Sequence, residues 1–172
     1  MKKTILVVDD EVGPRESLRR ILEAFYHIEV AENGRRALEI LENKQVDLIT
    51  LDLKMPDLSG EDLLKIIKRR NPQIEVIIVS GNGTLKSAVD GIRYRVADFI
   101  TKPFHVTDLL NTVKEALERR GQRDALKEFL NEIGDTFGMD LPLPELIQRM
   151  KQQKKNGEKR APSSNRAKPV EF

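Results

Sequence analysis

The apolar residues of this chain fall into short runs of two kinds, which alternate along the sequence. Nearly uninterrupted runs rich in Val and Ile predict strands that are buried on both faces, as in a parallel sheet. Four such runs and a weaker fifth occupy residues 5–8, 28–31, 46–53, 74–79 and 96–100. The pattern therefore predicts five strands.

Between these runs, apolar residues recur three and four positions apart, which predicts amphipathic helices. The five stripes are Leu18, Ile21, Leu22 and Phe25; Ala37, Leu38 and Leu41; Leu63, Leu64, Ile66 and Ile67; Leu85, Ala88, Val89 and Ile92; and Leu109, Leu110, Val113 and Leu117. Pro14 suits a first helical turn, Asn71-Pro72 a helix stop, and Thr107 or His105 the start of the last helix. Five strand–helix repeats predict a doubly wound (βα)5 α/β fold, flavodoxin-like, with a five-stranded parallel sheet.

Beyond Arg120 the pattern changes. A stripe of Leu126, Phe129, Leu130, Ile133 and Phe137 predicts a helix that continues across Gly121, either packed back on the domain or used for oligomerisation. From residue 151 the chain has almost no apolar residues to offset the entropy of ordering. We therefore predict a folded domain over 1–120, a helical extension over 121–150 and a disordered basic tail over 151–172.

Composition narrows the function classes. There are no cysteines and two histidines, which excludes disulfides, thiolate metal sites and a His-rich site. No apolar run approaches the ~18 residues of a membrane span, and the N-terminus lacks the features of a signal peptide, so we expect a cytoplasmic protein without a membrane partner. The formal net charge of +2 hides a basic tail and a mildly acidic remainder. Because Phe172 is the only aromatic residue of the tail, nucleic-acid binding is disfavoured.

Side chains that can perform chemistry follow four of the predicted strands. Asp9 and Asp10 come after the first strand, Asp52 ends the third, Ser80 ends the fourth and Lys102 follows the fifth. Ligands of doubly wound sheets bind at the carboxyl ends of the strands, near the point where strand order reverses. We therefore expect these five side chains to converge at one edge of the sheet.

Three carboxylates at one edge repel each other unless a cation lies among them. Oxygen ligands without Cys or His favour Mg²⁺ or Mn²⁺ over zinc. Taken alone, Asp9 and Asp10 fit equally well as caps of the next helix, and Ser80 fits the start of a turn. Asp52 is harder to explain structurally, because a lone buried charge at the end of an apolar strand is costly.

With these side chains following four of the strands in this order, residues 1–120 resemble a response-regulator receiver domain. The resemblance rests on four stretches, ILVVDDE at 5–11, LDLKMPDLSG at 51–60, VSG at 79–81 and DFITKPF at 98–104. It implies that Asp52 accepts a phosphoryl group from a sensor histidine kinase or a phosphotransfer protein. It also implies that Asp10, Asp52 and the backbone carbonyl of Lys54 bind Mg²⁺, with Asp9 reaching the ion through water.

The resemblance assigns further roles around the acceptor. Ser80 and Lys102 would contact the phosphoryl oxygens, and Pro103 would set the geometry of the loop after Lys102. Movement of Ser80 toward the phosphoryl group and inward rotation of Phe99 would form the switch. Taken alone, Phe99 could equally be an ordinary core aromatic.

The implied function is a two-component response regulator that signals by phosphorylation-dependent contact with a downstream protein that the sequence does not identify. Such a protein phosphorylates itself and loses the phosphoryl group by autodephosphorylation, and it is not a turnover enzyme. Arg95-Val96 replaces the Gly-Ala pair frequent in the family, which leaves homodimerisation open.

The alternative is a fragment of a transcriptional regulator, or a nucleic-acid-binding regulator that acts through the C-terminal region. An aspartyl-nucleophile phosphatase is disfavoured because Lys54 stands where those enzymes carry a second Asp.

Overall fold

The computed structural model describes residues 2–81 and 92–137, with side chains through residue 132. Within these ranges the strands are β1 (Thr4–Val8), β2 (His27–Ala31), β3 (Leu48–Leu51), β4 (Glu75–Ser80) and β5 (Asp98–Thr101). The helices are α1 (Val12–Leu22), α2 (Gly34–Asn43), α3 (Gly60–Arg70) and α4 (Val106–Phe137). The helix predicted from Leu85, Ala88 and Val89 lies outside the described residues.

The five strands form one parallel sheet in the order β2-β1-β3-β4-β5. This order confirms the predicted doubly wound α/β fold. The direction of strand progression reverses between β1 and β3, so the crevice expected to hold a ligand lies at the carboxyl ends of these two central strands.

The sheet is covered on both faces, which explains the near-continuous apolarity of the strands. On one face, the buried side chains of β3 and β4 pack with Ala37 and Ile40 of α2 and with Leu63, Leu64 and Ile67 of α3. On the other, β1 and β4 pack with Leu18 and Leu22 of α1 and with Leu109, Val113 and Ala116 of α4. The core thus holds the ends of the central strands between two helical layers.

Residues typical of helix starts and stops predicted most of the helix boundaries. Pro14 lies in the first turn of α1, α3 ends at Arg70 with Asn71 as its C-cap, and His105 directly precedes α4. The stripe predicted for the first helix was wrong at Phe25. Helix α1 ends at Leu22, and the chain turns there, so that Phe25 is 57% exposed.

Helix α4 runs without a break through Gly121, as the sequence predicted. The chain divides into two compact units, Met1–Arg123 and Asp124–Phe172. In the first unit, Arg120 of α4 donates to the carbonyl oxygen of Asp47 at 2.5 Å, and Arg123 pairs with the buried carboxylate of Glu75. In the second, Leu126 and Phe129 are exposed.

Arg95 has a φ of +52°, in the left-handed region that favours glycine. Its N–H donates to the carbonyl oxygen of Ile92, which places it just past a helical turn, where a left-handed residue often terminates a helix. This conformation explains physically why glycine suits the position.

No helix in the described part of the chain combines the length and apolarity that crossing a bilayer requires.

Candidate functional site

Three carboxylates meet where the two central strands end. Asp9 and Asp10 follow β1 and Asp52 follows β3, and each offers an oxygen within 4.8 Å of the others. Asp9 is 1% exposed and Asp52 5%. The N–H of Asp52 donates to the carbonyl oxygen of Val8 at 2.9 Å, which extends the strand pairing and joins the two acid-bearing ends. The predicted acidic cluster is therefore present.

Lys102 supplies a positive charge to this cluster. Its Nζ lies 2.6 Å from Oδ2 of Asp9 and 3.6 Å from Oδ2 of Asp52. Its backbone N–H donates to the carbonyl oxygen of Ser80 at 3.1 Å, which ties the end of β5 to the end of β4. The Lys102–Pro103 peptide bond is cis.

A single lysine does not fully compensate the three acids. Burial raises the pKa of Asp9, the hydrogen bond and charge of Lys102 and the N–H of Glu11 oppose this, and the charge of Asp52 adds to the rise. The net effect is a raised pKa, which means that the charged form of Asp9 is disfavoured at this site. A further positive charge among the carboxylates would stabilise the charged form.

Asp10 differs from the other two acids in its hydrogen bonding. Asp9 and Asp52 each use Oδ1 to accept a backbone N–H, from Glu11 at 2.9 Å and from Leu53 at 2.8 Å. Oδ1 of Asp10 is buried and has no hydrogen-bond partner in the structure. A buried carboxylate oxygen without a donor, beside two other carboxylates, fits a hard divalent cation such as Mg²⁺.

The other predicted residues lie on β4, on β5 and in the loop after β3. Ser80 is buried at the end of β4, next to Thr101 in the pairing of β4 with β5. Lys54 lies in the loop after β3 with an exposed side chain, and Phe99 of β5 is half-buried against the face of the core that α2 and α3 cover.

The capping alternative for the acid pair does not describe what the structure contains. The N-cap residue of α1 is Glu11, whose side chain makes no cap hydrogen bond. Asp9 does accept the N–H of Glu11, but this bond lies ahead of the helix. Asp9 and Asp10 point instead to the acidic cluster.

Two residues that shape the site were not predicted. Arg15 donates from its guanidinium to the carbonyl oxygens of Asp9 at 2.7 Å and Asp10 at 3.3 Å, which fixes the acid pair to α1. A Cβ on Gly60 would lie 2.2 Å from the carbonyl oxygen of Asp52. Gly60 belongs to the 51–60 stretch and could have been singled out there, whereas Arg15 has no distinguishing sequence signal.

Comparisons with known proteins agree with this geometry. Residues 5–114 match the family model described as the response regulator receiver domain. A response regulator described as NtrX-like, from Rickettsia bellii, is 38% identical over 117 residues, which are 66% of this chain and 24% of the relative. The transcriptional regulatory protein ZraR of Escherichia coli is 33% identical over 122 residues, 70% of this chain and 28% of the relative. The chain thus spans about a quarter of the length of these curated relatives.

Among solved structures, the CheY-like response regulator receiver domain protein from Methanospirillum hungatei superposes with a TM-score of 0.69 at 31% sequence identity. The match covers 72% of this chain and 99% of that one.

Proposed function

The chain belongs to the response-regulator receiver family, and on that premise we propose that Asp52 is its phosphoryl acceptor. The observation that carries this assignment is the position of Asp52. It is the buried acid at the end of the central strand, and the amine of Lys102 lies 3.6 Å from its carboxylate. The donor is the phosphohistidine of a sensor histidine kinase or a phosphotransfer protein.

Asp10, Asp52 and the backbone carbonyl of Lys54 would hold Mg²⁺, with Asp9 contributing through water. The unpartnered Oδ1 of Asp10 supports this assignment. When bound, the ion supplies positive charge that neutralises the oxygens of the phosphoryl group during transfer.

The transfer itself requires positioning more than acid–base chemistry. A carboxylate oxygen of Asp52 attacks phosphorus, the bond from phosphorus to the histidine nitrogen breaks, and the donor imidazole leaves with the electron pair. Lys102 stabilises the charge that develops on the phosphoryl oxygens. Its amine is already oriented by the 2.6 Å contact with Asp9, so little reorganisation is needed.

The product is an acyl phosphate at a buried position. Its oxygens would accept a hydrogen bond from Ser80, whose hydroxyl moves toward them, and Phe99 would rotate inward behind it. This displacement is the signal, because a partner that binds only the rearranged surface shifts the population toward it. Hydrolysis of the acyl phosphate by water would return the protein to its first state.

The principal output is phosphorylation-dependent contact with another protein. The names of the relatives give a specific reason for a second candidate, since ZraR is a transcriptional regulatory protein. In that case the receiver would control the regulator of which it is one part. Retention of DNA by the full chain but not by residues 1–150 would instead favour a nucleic-acid-binding regulator that acts through the basic tail.

The acceptor assignment is tested by incubation with acetyl phosphate and Mg²⁺, followed by intact-mass measurement. Wild type should gain one phosphoryl group, and Asp52→Asn should gain none. Asp108→Asn is the matched control, because Asp108 is an exposed acid in the first turn of α4. Equal labelling of wild type and Asp52→Asn would refute the assignment.

A further inference from the structure

The loop between β3 and α3 carries the backbone carbonyl of Lys54, one of the proposed ligands of the ion. The side chain of Lys54 is exposed, so it does not hold the loop in place. The position of the carbonyl therefore depends on contacts made by other residues of this loop.

Asp57 provides such a contact with the start of α2. Its Oδ1 accepts the N–H of Gly34 and its Oδ2 accepts the N–H of Arg35, each at 3.4 Å. Gly34 and Arg35 are the first two residues of α2, whose N–H groups have no partner within the helix. A carboxylate at this end also interacts favourably with the helix dipole.

The ionised form of Asp57 is the one that accepts both bonds. Burial alone would raise the pKa of Asp57, but the backbone N–H groups of Leu58, Gly34 and Arg35 outweigh it and lower the pKa overall. Both carboxylate oxygens are thus available as acceptors near neutral pH.

Leu58 adds an apolar contact beside this polar one. A Cβ on Gly34 would lie 2.8 Å from Cβ and 2.9 Å from Cδ2 of Leu58, so the leucine packs directly on the glycine. Two consecutive loop residues therefore rest on the first turn of α2, one through hydrogen bonds and one through packing. The same loop is held at its other end by the N–H of Gly60, which donates to the carbonyl oxygen of Leu53 at 3.0 Å.

From these contacts we propose that Asp57 is a positioning residue for the ion site. By accepting the N–H groups of Gly34 and Arg35, it fixes the loop so that the carbonyl of Lys54 faces the acidic cluster. Asp57 touches neither the ion nor the phosphoryl group. This inference rests on the proposed function, since it takes the Lys54 carbonyl as a ligand.

The test is a calorimetric titration of the full chain with MgCl₂, without any phosphoryl donor. Asp57→Ala should weaken Mg²⁺ binding about tenfold, the lower end of the range for groups that orient metal ligands. Asp57→Asn should lie between that variant and wild type, because its amide oxygen can still accept but carries no charge. This rescue by the conservative variant separates positioning from a general loss of packing.

Glu39→Ala is the matched control, because it removes an equal charge from an exposed position of the same helix α2. It should bind Mg²⁺ within twofold of wild type. Asp57→Ala with the affinity of this control would overturn the proposal. If Asp57→Ala did not fold, Asp57→Asn would decide in its place, and wild-type affinity in that variant would overturn the proposal as well.

Failure of this inference can be distinguished from failure of the proposed function. If acetyl phosphate labels wild type on Asp52 while Asp57→Ala binds Mg²⁺ normally, the acceptor assignment stands and the positioning role is refuted. If wild type is not labelled, the acceptor assignment fails whatever the titrations give.

Discussion

A Cβ atom on Gly60 would lie 2.2 Å from the carbonyl oxygen of Asp52 and 2.5 Å from the Cα of Leu53. Both neighbours are backbone atoms, which cannot rotate away as a flexible side chain could. Helix α3 therefore begins against the residue proposed to carry the phosphoryl group, and glycine is the residue that permits this approach.

Gly60→Ala should therefore destabilise the fold by about 1–3 kcal/mol, the usual range for overpacking, and slow phosphorylation by acetyl phosphate. Urea unfolding measures the first effect and intact-mass kinetics the second. Gly121→Ala in α4 is the control, because a Cβ added there would meet no atom of another element within 4 Å, and this variant should gain up to about 1 kcal/mol. Wild-type stability in Gly60→Ala would contradict the close approach.

Lys102→Met should destabilise the protein more strongly in EDTA than in saturating Mg²⁺. Without the amine, the buried carboxylate of Asp9 loses its 2.6 Å partner, at a cost of about 3 kcal/mol for a broken buried ion pair. A bound divalent cation would replace part of that positive charge and reduce the loss. The measurement is urea unfolding in both conditions, with the exposed Lys114→Met as control. An identical loss in EDTA and Mg²⁺ would show that the ion does not share this site.

Stability should rise with pH above about 8 because of Lys68. Burial, with a smaller contribution from the charge of Arg123, lowers its pKa from 10.5 to about 8. The unfolded chain therefore holds this proton up to higher pH than the folded protein does. Unfolding takes up a proton between about pH 8 and 10.5, so the free energy of unfolding increases across that window.

The groups around the Lys68 amine are the carbonyl oxygen of Ile74 at 2.8 Å, and Arg123 with its partner Glu75. As pH rises from 8 to 10, the free energy of unfolding of wild type should rise relative to that of Lys68→Met, and the exposed Lys44→Met serves as the control. Parallel curves for wild type and Lys68→Met would rule out the lowered pKa.

Arg95→Gly should stabilise the fold by about 0.5–1 kcal/mol. A left-handed backbone conformation costs a non-glycine residue on the order of 1–3 kcal/mol, and glycine removes this cost. Glycine also gives the unfolded chain more conformational entropy, which offsets part of the gain. The melting temperature should rise by a few degrees. Arg93→Gly, two residues earlier in helical backbone, should lower it instead. A lower melting temperature in Arg95→Gly would contradict the strain assigned to this position.

The sequence predicted the sheet and the acidic cluster for the same physical reason. Strands buried on both faces leave a strong apolar pattern, and residues that directly follow parallel strands must meet at one edge. Asp9, Asp10, Asp52 and Lys102 could therefore be brought together from their positions in the chain alone. The prediction of a Mg²⁺ ligand set and of the switch residues went further, through resemblance to the family.

The contacts that hold the site in place could not be predicted in this way. Arg15 reaches carbonyl oxygens, which every residue has, so no partner residue type marks the contact. Asp57 and Gly34 are 23 positions apart, and their approach depends on how far α2 extends before the chain enters β3. Phe25 fitted a helical stripe, but the early end of α1 at Leu22 placed it at the surface.

The place of β3 in the sheet limits how the protein can respond to a change at Asp52. β3 is hydrogen-bonded to β1 on one side and β4 on the other, so its end cannot shift without breaking two rows of backbone bonds. β5, in contrast, is an edge strand with a single neighbour. The strand β2 is likewise an edge strand, but β5 carries Phe99, one of the two residues proposed to move when Asp52 is phosphorylated. The proposed switch would therefore add charge at a strand that is paired on both sides and change the surface at β4 and β5, on one of the two flanks of the sheet.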